Sequence, residues 1–289
     1  MGCKIDAHTR LYGVIGYPVR HSFSPFMHNA AFEKAKINAI YLAFEIAPAN
    51  LKDALIGIKS LGVSGVNVTI PHKEACIPLL DEVDPTARII GAVNTIVLKE
   101  GKLIGYNTDG KGFIQALQTI LKIRPKGKRF FILGAGGAAR AIGFSLIRTG
   151  AKRIVFYDIV RSKAEQLVID LRLHFPNSNV ELSSNLPNSP LKDFDCLVNA
   201  TPVGMKKDDP LLIEPKVLHS KLAVCDLIYN PPKTKLLKIA EEKHLKTMNG
   251  LGMLLYQGVI SWELWTSKKA PVGIMKKALE KAIFKRIKT

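Results

Sequence analysis

The chain has 289 residues, 47% of them hydrophobic, and a formal net charge of +18 at pH 7. That length suits two domains of ordinary size, and that apolar content excludes a disordered chain. The four cysteines, Cys3, Cys76, Cys196 and Cys225, stand far apart with no C-x-x-C, which argues against a disulfide framework or a metal site and for a reducing cytoplasm.

The elements follow in chain order. Leu11–Tyr17 reads as a short strand and 18–25 as a polar turn. Ser24-Pro25 is a helix start, with Ser24 as N-cap and Pro25 in the first turn. Phe26, Ala30 and their neighbours carry the helix towards Ile37. Tyr41–Ile46 alternates as a strand, and Leu51, Ala54, Leu55 and Ile58 mark a helix stopping near Gly62. Val63–Ile70 is a strand closed by Pro71. After a short helix, Ala92–Leu98 and Leu103–Tyr106 read as strands joined across Glu100-Gly101. Strands alternating with helices predict an α/β layer with a mainly parallel sheet.

Asn107–Gly110 turns into a helix through Phe113, Leu117 and Leu121, which ends in the basic linker 122–128. Phe130–Leu133 is an apolar run of strand length. Gly134-Ala135-Gly136-Gly137-Ala138-Ala139 follows at once as G-x-G-x-x-A, ahead of a helix with Ile142, Leu146 and Ile147 on one face. A second run, Ile154–Tyr157, ends in Asp158. This is a βαβ unit with a dinucleotide fingerprint in context. Gly134 permits the tight turn, Gly136 lets backbone approach a pyrophosphate, and small Ala139 lets helix and strand pack closely. The helix N-terminus offers N–H groups and partial positive charge to phosphates. Asp158 is placed to accept from ribose hydroxyls.

Arg161–Phe175 is an amphipathic helix and 176–190 reads as a polar loop. Phe194–Val198 and Leu222–Ile228 are buried strands, and Thr234–His244 is a helix. Leu251–Trp265 and Val272–Ile287 are the last two helices. No run reaches membrane-spanning length, and the first residues lack a signal-peptide core. A Met1-Gly2 start is not matched by Ser or Thr at position 6, which is Asp6.

The positive charge suits either nucleic acid or small anions. Lys and Arg are scattered. The densest group is on the C-terminal helix (Lys276, Lys277, Lys281, Lys285, Arg286, Lys288), without interleaved aromatic platforms. The expected partners are therefore an acidic small molecule and a phosphate-bearing cofactor, with no nucleic acid and no membrane.

Polar residues interrupt Gly65-Val66-Asn67-Val68-Thr69-Ile70-Pro71-His72-Lys73. Asn67 and Thr69 share one strand face, and Lys73 lies past the strand end. Spacing alone fits either a ligand-facing strand end or a solvated edge. His21 and His28 read as residues that satisfy local hydrogen bonds.

HSFSP (His21–Pro25), NVTIPHK (Asn67–Lys73), GAVNT (Gly91–Thr95), NTDG (Asn107–Gly110), GAGGAAR (Gly134–Arg140), NATPVGM (Asn199–Met205) and NGLGMLLYQG (Asn249–Gly258) occur in this order. Together they resemble the shikimate dehydrogenase family, which includes quinate/shikimate relatives, from Leu11 to about Trp265. The resemblance implies reversible reduction of 3-dehydroshikimate to shikimate with NAD or NADP. It implies a discontinuous substrate domain (1–109 and 248–289) facing a Rossmann domain (110–247) across a cleft. It makes Lys73 and Asp109 the catalytic pair. Substrate contacts would be Ser22, Ser24, Asn67, Thr69, Asn94, Tyr229 and Gln257. Cofactor contacts would be residues 134–139, Arg140, Asp158, Thr201 and Gly250. A monomer or homodimer is expected, without a metal.

Chemistry agrees with those roles. Ketone reduction needs a proton on the developing alkoxide, which an ammonium can supply. Asp109 would accept from ring hydroxyls and from the ammonium. A neighbouring carboxylate also favours the charged amine, so Lys73 either transfers the proton or chiefly orients the substrate and stabilises charge. Hydroxyls and amides that both donate and accept suit a polyol ring. One departure bears on the cofactor. Many family members have Asn-Arg-Thr after the second Rossmann strand, where the Arg and Thr hold a 2′-phosphate; this chain has Asp158-Ile159-Val160. A carboxylate there suits a free 2′-hydroxyl, so NAD preference or dual use is expected, with Arg140, Arg161 and Lys163 near enough to assist NADP. Quinate is the alternative substrate. A non-catalytic basic dinucleotide- or nucleic-acid-binding protein is the remote alternative.

Overall fold

Short apolar runs between Gly and Pro become strands here, and longer amphipathic runs become helices. The computed structural model describes residues 5–287, with side chains through residue 284. Cys3, Lys288 and the side chains of Lys285 and Arg286 lie outside the described residues.

The order is β1 (Arg10–Gly16), α1 (Ser24–Lys34), β2 (Ala39–Glu45), α2 (Leu51–Ser60), β3 (Gly65–Val68), α3 (His72–Ala75), β4 (Glu82–Val83), α4 (Pro85–Ile90), β5 (Thr95–Lys99) and β6 (Lys102–Tyr106). There follow α5 (Asp109–Ala116), β7 (Arg129–Leu133), α6 (Gly137–Arg148), β8 (Arg153–Tyr157), α7 (Arg161–His174) and β9 (Val180–Leu182). Last come β10 (Cys196–Asn199), β11 (Ala223–Asp226), α8 (Lys235–Glu242), β12 (Thr247–Met248), α9 (Leu251–Thr266) and α10 (Val272–Ile287). The chain divides into two compact units. One holds the chain as far as Thr108 and again from Leu254; the other is Asp109–Met253.

The first unit is built on a six-stranded sheet in the order β2-β1-β3-β5-β6-β4. β1 runs parallel to both β2 and β3, and β4 runs parallel to β6. β5 is antiparallel to β3 and to β6. The β5–β6 hairpin turns on Glu100 and Gly101, both at positive φ (51° and 73°), the backbone that matches strand twist in a two-residue turn. Ile15, Leu55, Val66, Val93 and Ile96 form its core on one side. α10 packs on α1, and Trp265 of α9 donates from Nε1 to Ile96 O at 3.0 Å. Gly65 makes that contact possible, because a Cβ there would stand 2.2 Å from Trp265 Nε1.

The second unit is a six-stranded sheet in the order β12-β11-β10-β7-β8-β9, parallel throughout. Counted within the unit, that is the doubly wound 3-2-1-4-5-6 order. The order in which strands are added reverses between β7 and β10, so the crevice at their carboxyl ends is the expected ligand position. Phe131, Leu133, Leu197, Val224 and Leu237 lie in its core. Gly143 lets α6 press on β8, since a Cβ would sit 2.6 Å from the Phe156 ring.

Two sequence expectations are corrected. The 176–190 segment is not wholly loop: it contains the edge strand β9. Ser24 is not the cap of α1. Phe23 occupies that position, and the Ser24 N–H donates to Ser22 Oγ at 3.2 Å.

Candidate active site

In the first unit the conspicuous feature is a buried polar network. Asn67 lies on β3 and is 5% exposed. Its Oδ1 accepts from Tyr41 Oη at 2.8 Å, and its Nδ2 lies within donating distance of Asn94 O, Thr95 Oγ1 and Ser261 Oγ. Asn94, 2% exposed, accepts on Oδ1 from Thr108 N at 2.7 Å, and its Nδ2 donates to Thr108 Oγ1 at 2.9 Å and to Gln257 Oε1 at 3.3 Å. Gln257 is buried and donates from Nε2 to Leu254 O. Ser261 donates to Gln257 O and meets Thr95 Oγ1 at 2.8 Å. Such a network costs little only when its members are satisfied. It fixes the amides of Asn94 and Gln257, and it holds Thr108, the residue immediately before Asp109.

Lys73 is half-buried on α3; its carbonyl accepts from Val93 N at 2.8 Å. The helix is anchored by His72, whose Nε2 meets Ile46 O at 2.8 Å. Cys76 behind it is fully buried, which pushes its thiol up to about 12. Thr69 follows β3, half-buried, and its N–H donates to Ile15 O. Ser22 is half-buried, and Ser24 is buried on α1. Of the expected residues, Ser22, Ser24, Asn67, Thr69, Lys73, Asn94 and Gln257 therefore belong to the first unit; Asp109, Tyr229 and the cofactor residues belong to the second.

His28 differs from expectation. It is fully buried, and neither ring nitrogen has a hydrogen-bond partner among the described residues. Its ring stacks on Tyr41 at 4.4 Å, and burial drives its pKa down to about 3. The residue acts as a neutral aromatic plate behind the Tyr41–Asn67 bond.

In the second unit, Asp109 opens α5 and is buried. Gly134 has φ +102°, and a Cβ there would meet Ala200 O at 3.0 Å, so the turn requires glycine. Gly136 is the N-cap of α6 at an ordinary φ of −76°, without a side-chain cap bond, and a Cβ there would meet nothing within 4 Å. No neighbour among the described residues demands glycine at that position. The bare, exposed helix N-terminus fits a pyrophosphate laid against the backbone.

Asp158 commits both oxygens to backbone. Oδ2 accepts from Ala135 N and Oδ1 from Val160 N, each at 2.8 Å. Its carboxylate thus braces the glycine turn and retains lone pairs towards solvent. Ile159 and Val160 are exposed. Arg140 is ion-paired with Asp170, and Arg161 with Glu165 at 2.6 Å. Thr201 donates from Oγ1 to Asn199 Oδ1 at 2.7 Å. Gly250 has a packing reason of its own, because a Cβ would lie 1.9 Å from Leu227 O. Tyr229 is half-buried in the segment after β11. Among the described residues no group of three or more His, Cys, Asp or Glu is placed to hold a metal ion, and no helix is long and apolar enough to cross a membrane.

Comparison with known proteins places the chain. Residues 14–96 match the model of the shikimate dehydrogenase substrate binding domain, and 250–280 that of the shikimate 5'-dehydrogenase C-terminal domain. A curated relative from Desulforamulus reducens, named shikimate dehydrogenase (NADP(+)), is 47% identical over 98% of this chain and 99% of its own length. A crystal structure of a shikimate dehydrogenase in complex with NADP+ superposes with a TM-score of 0.90 at 42% identity, covering 98% of this chain and 99% of that one. The Listeria monocytogenes shikimate 5-dehydrogenase, solved with shikimate and NAD, gives 0.84 at 38% identity over 96% and 98% of the two chains. Fold and site together define a two-unit α/β oxidoreductase of the dinucleotide-binding class. More particularly, the chain belongs to the shikimate dehydrogenase family.

Proposed function

We propose that this chain catalyses the reversible, nicotinamide-dependent interconversion of shikimate and 3-dehydroshikimate, the shikimate-pathway step towards chorismate and the aromatic amino acids. The observation that carries the reading is near-full-length similarity to curated relatives of that name, with the Ser22–Ser24, Asn67–Lys73, Asn94, Asp109 and Gln257 motifs all present.

A nicotinamide held by the second unit's residues would supply the hydride acceptor in the oxidation direction. The chain's residues do the rest. Ser22 and Ser24 donate to the substrate carboxylate, with Thr69 and Tyr229 bounding it. Asn94 and Gln257, held by their mutual bond, present fixed polar edges to ring hydroxyls. Asn67 contributes by locking that pair's surroundings as well as by any contact of its own. Lys73 gives the proton to the developing alkoxide in reduction and takes it back in oxidation. Asp109 accepts from a ring hydroxyl and from the ammonium.

The cofactor is NAD or NADP, with NAD favoured. Asp158 puts a carboxylate where a 2′-phosphate would lie, and Ile159 and Val160 bring no donor side chains. The ion pairs of Arg140 and Arg161 further reduce what is available to a phosphate. The residues that would hold the cofactor are 134–139, Arg140, Asp158, Thr201 and Gly250. The substrate-binding domain would comprise 1–109 and 248–289, and the dinucleotide-binding domain 110–247. Partners are small molecules rather than nucleic acid or membrane. The protein works in the cytoplasm as a monomer or homodimer.

Product analysis tests the reaction. Shikimate and the oxidised cofactor, incubated with the protein, should give chromatographically identified 3-dehydroshikimate. Recovery of unchanged shikimate beside an active control enzyme would overturn the proposal.

A further inference from the structure

The second unit contains a buried carboxylate to which no motif assigned a role. Asp226 ends β11 and is 1% exposed. It pairs in register with Asn199, which ends β10 and is fully buried. The partners of Asp226 are neutral donors: Asn199 Nδ2 at 3.0 Å and Ile228 N at 3.1 Å on Oδ1, and Thr234 Oγ1 at 2.7 Å on Oδ2. Each donor leads to a different segment at the carboxyl end of the sheet. Asn199 holds the loop after β10: its Oδ1 accepts from Thr201 N and Thr201 Oγ1, and its Nδ2 also reaches Val203 O at 3.2 Å. Ile228 immediately precedes Tyr229, and its carbonyl accepts from Gly250 N at 3.0 Å. Thr234 caps α8 by accepting from Leu237 N.

We propose that Asp226 is a positioning residue for the reaction: through Asn199, Ile228 and Thr234 its carboxylate sets the loop carrying Thr201 and the segment carrying Tyr229. The inference rests on the proposed cofactor and substrate roles of those two residues. An isolated buried carboxylate is expensive, and an apolar or amide residue would close a sheet end at lower cost. Here one group with two acceptor atoms ties three backbone segments, two of which carry the proposed ligand contacts Thr201 and Tyr229. Burial lifts its pKa above the usual carboxylate range while the three hydrogen bonds pull it back. A carboxylate accepts from all three donors at once. An amide of the same shape has one acceptor atom and turns a donor towards Thr234 or Asn199.

The test uses the full chain carrying Asp226→Asn, with Thr234→Val as a milder lesion and Thr234→Ser as its conservative rescue. Direct NAD binding, the KM values for NAD and shikimate, kcat and the thermal midpoint are measured for each. NAD binding should weaken by about tenfold or more in Asp226→Asn, with KM rising further than kcat falls, and about threefold or more in Thr234→Val. Thr234→Ser should restore wild-type values. Variants that lower only the thermal midpoint, with NAD binding and both KM values within about twofold of wild type, would overturn the proposal. If Asp226→Asn does not fold, the Thr234 pair decides by the same criteria. A wild-type chain that binds NAD but shows unchanged variants refutes this proposal alone; a wild-type chain that binds neither NAD nor NADP overturns the underlying reading with it.

Discussion

Asn67 and Ser261 are hydrogen-bonded, Nδ2 to Oγ at 3.0 Å, although 194 residues separate them in the chain. The bond ties the returning helix α9 to the centre of the N-terminal sheet. Ser261 is fully buried and also meets Thr95 and Thr108. Removing its hydroxyl takes one partner each from Asn67 Nδ2, Thr95 Oγ1 and Thr108 Oγ1. Ser261→Ala should cost about 1–3 kcal/mol in a urea titration. The KM for shikimate should rise as well, because the Asn94–Gln257 pair loses its support. Unchanged stability would show the network to be dispensable.

Lys73 is the proposed proton donor. Lys73→Ala should lower kcat by about 10²–10⁴-fold, with a smaller change in the KM for shikimate. A KM effect with kcat preserved would reduce Lys73 to a binding residue.

His28 makes stability pH-dependent. Its folded pKa, about 3, lies below the unfolded value of 6.5. The unfolded chain therefore binds a proton that the folded chain refuses between those values. Stability from this site is complete above pH 6.5 and falls as pH drops towards 3. The loss by pH 5 is about 2 kcal/mol, at ~1.4 kcal/mol per unit. His28→Phe retains a flat ring against Tyr41 and removes the titration. Its denaturation midpoint should fall less than wild type's between pH 7 and pH 5. Parallel profiles would contradict the assignment.

Cofactor choice is tested by restoring the family pattern. Asp158→Asn with Ile159→Arg and Val160→Thr removes the carboxylate and adds donors. The ratio of kcat/KM for NADP over NAD should rise by about tenfold or more. An unchanged ratio would place discrimination elsewhere in the chain.

Much of this was legible in the sequence, for identifiable reasons. Gly134 and Gly136 follow one apolar run and Asp158 follows the next, a local pattern that tertiary context does not override, and Glu100-Gly101 marks its hairpin. The misses are long-range or short. β9 and β12 have three and two residues, too few for any periodicity. Nothing local in the sequence pairs Ser261 with Thr95, which stand far apart in the chain; their meeting within the unit is a tertiary fact. Asp226 looked like part of a buried strand. The hint was a charged residue inside an apolar run, which calls for partners. His28 is expected to satisfy local hydrogen bonds, but among the described residues it has none and its ring stacks on Tyr41.

The most direct measurement crosses shikimate and quinate with NAD and NADP, following reduced nicotinamide by its absorbance. Expected is rapid reduction with shikimate, faster with NAD than with NADP at equal concentration, and slower turnover of quinate. No cofactor reduction with shikimate under any combination would contradict the assigned reaction, and a large excess of rate with NADP would contradict the role given to Asp158.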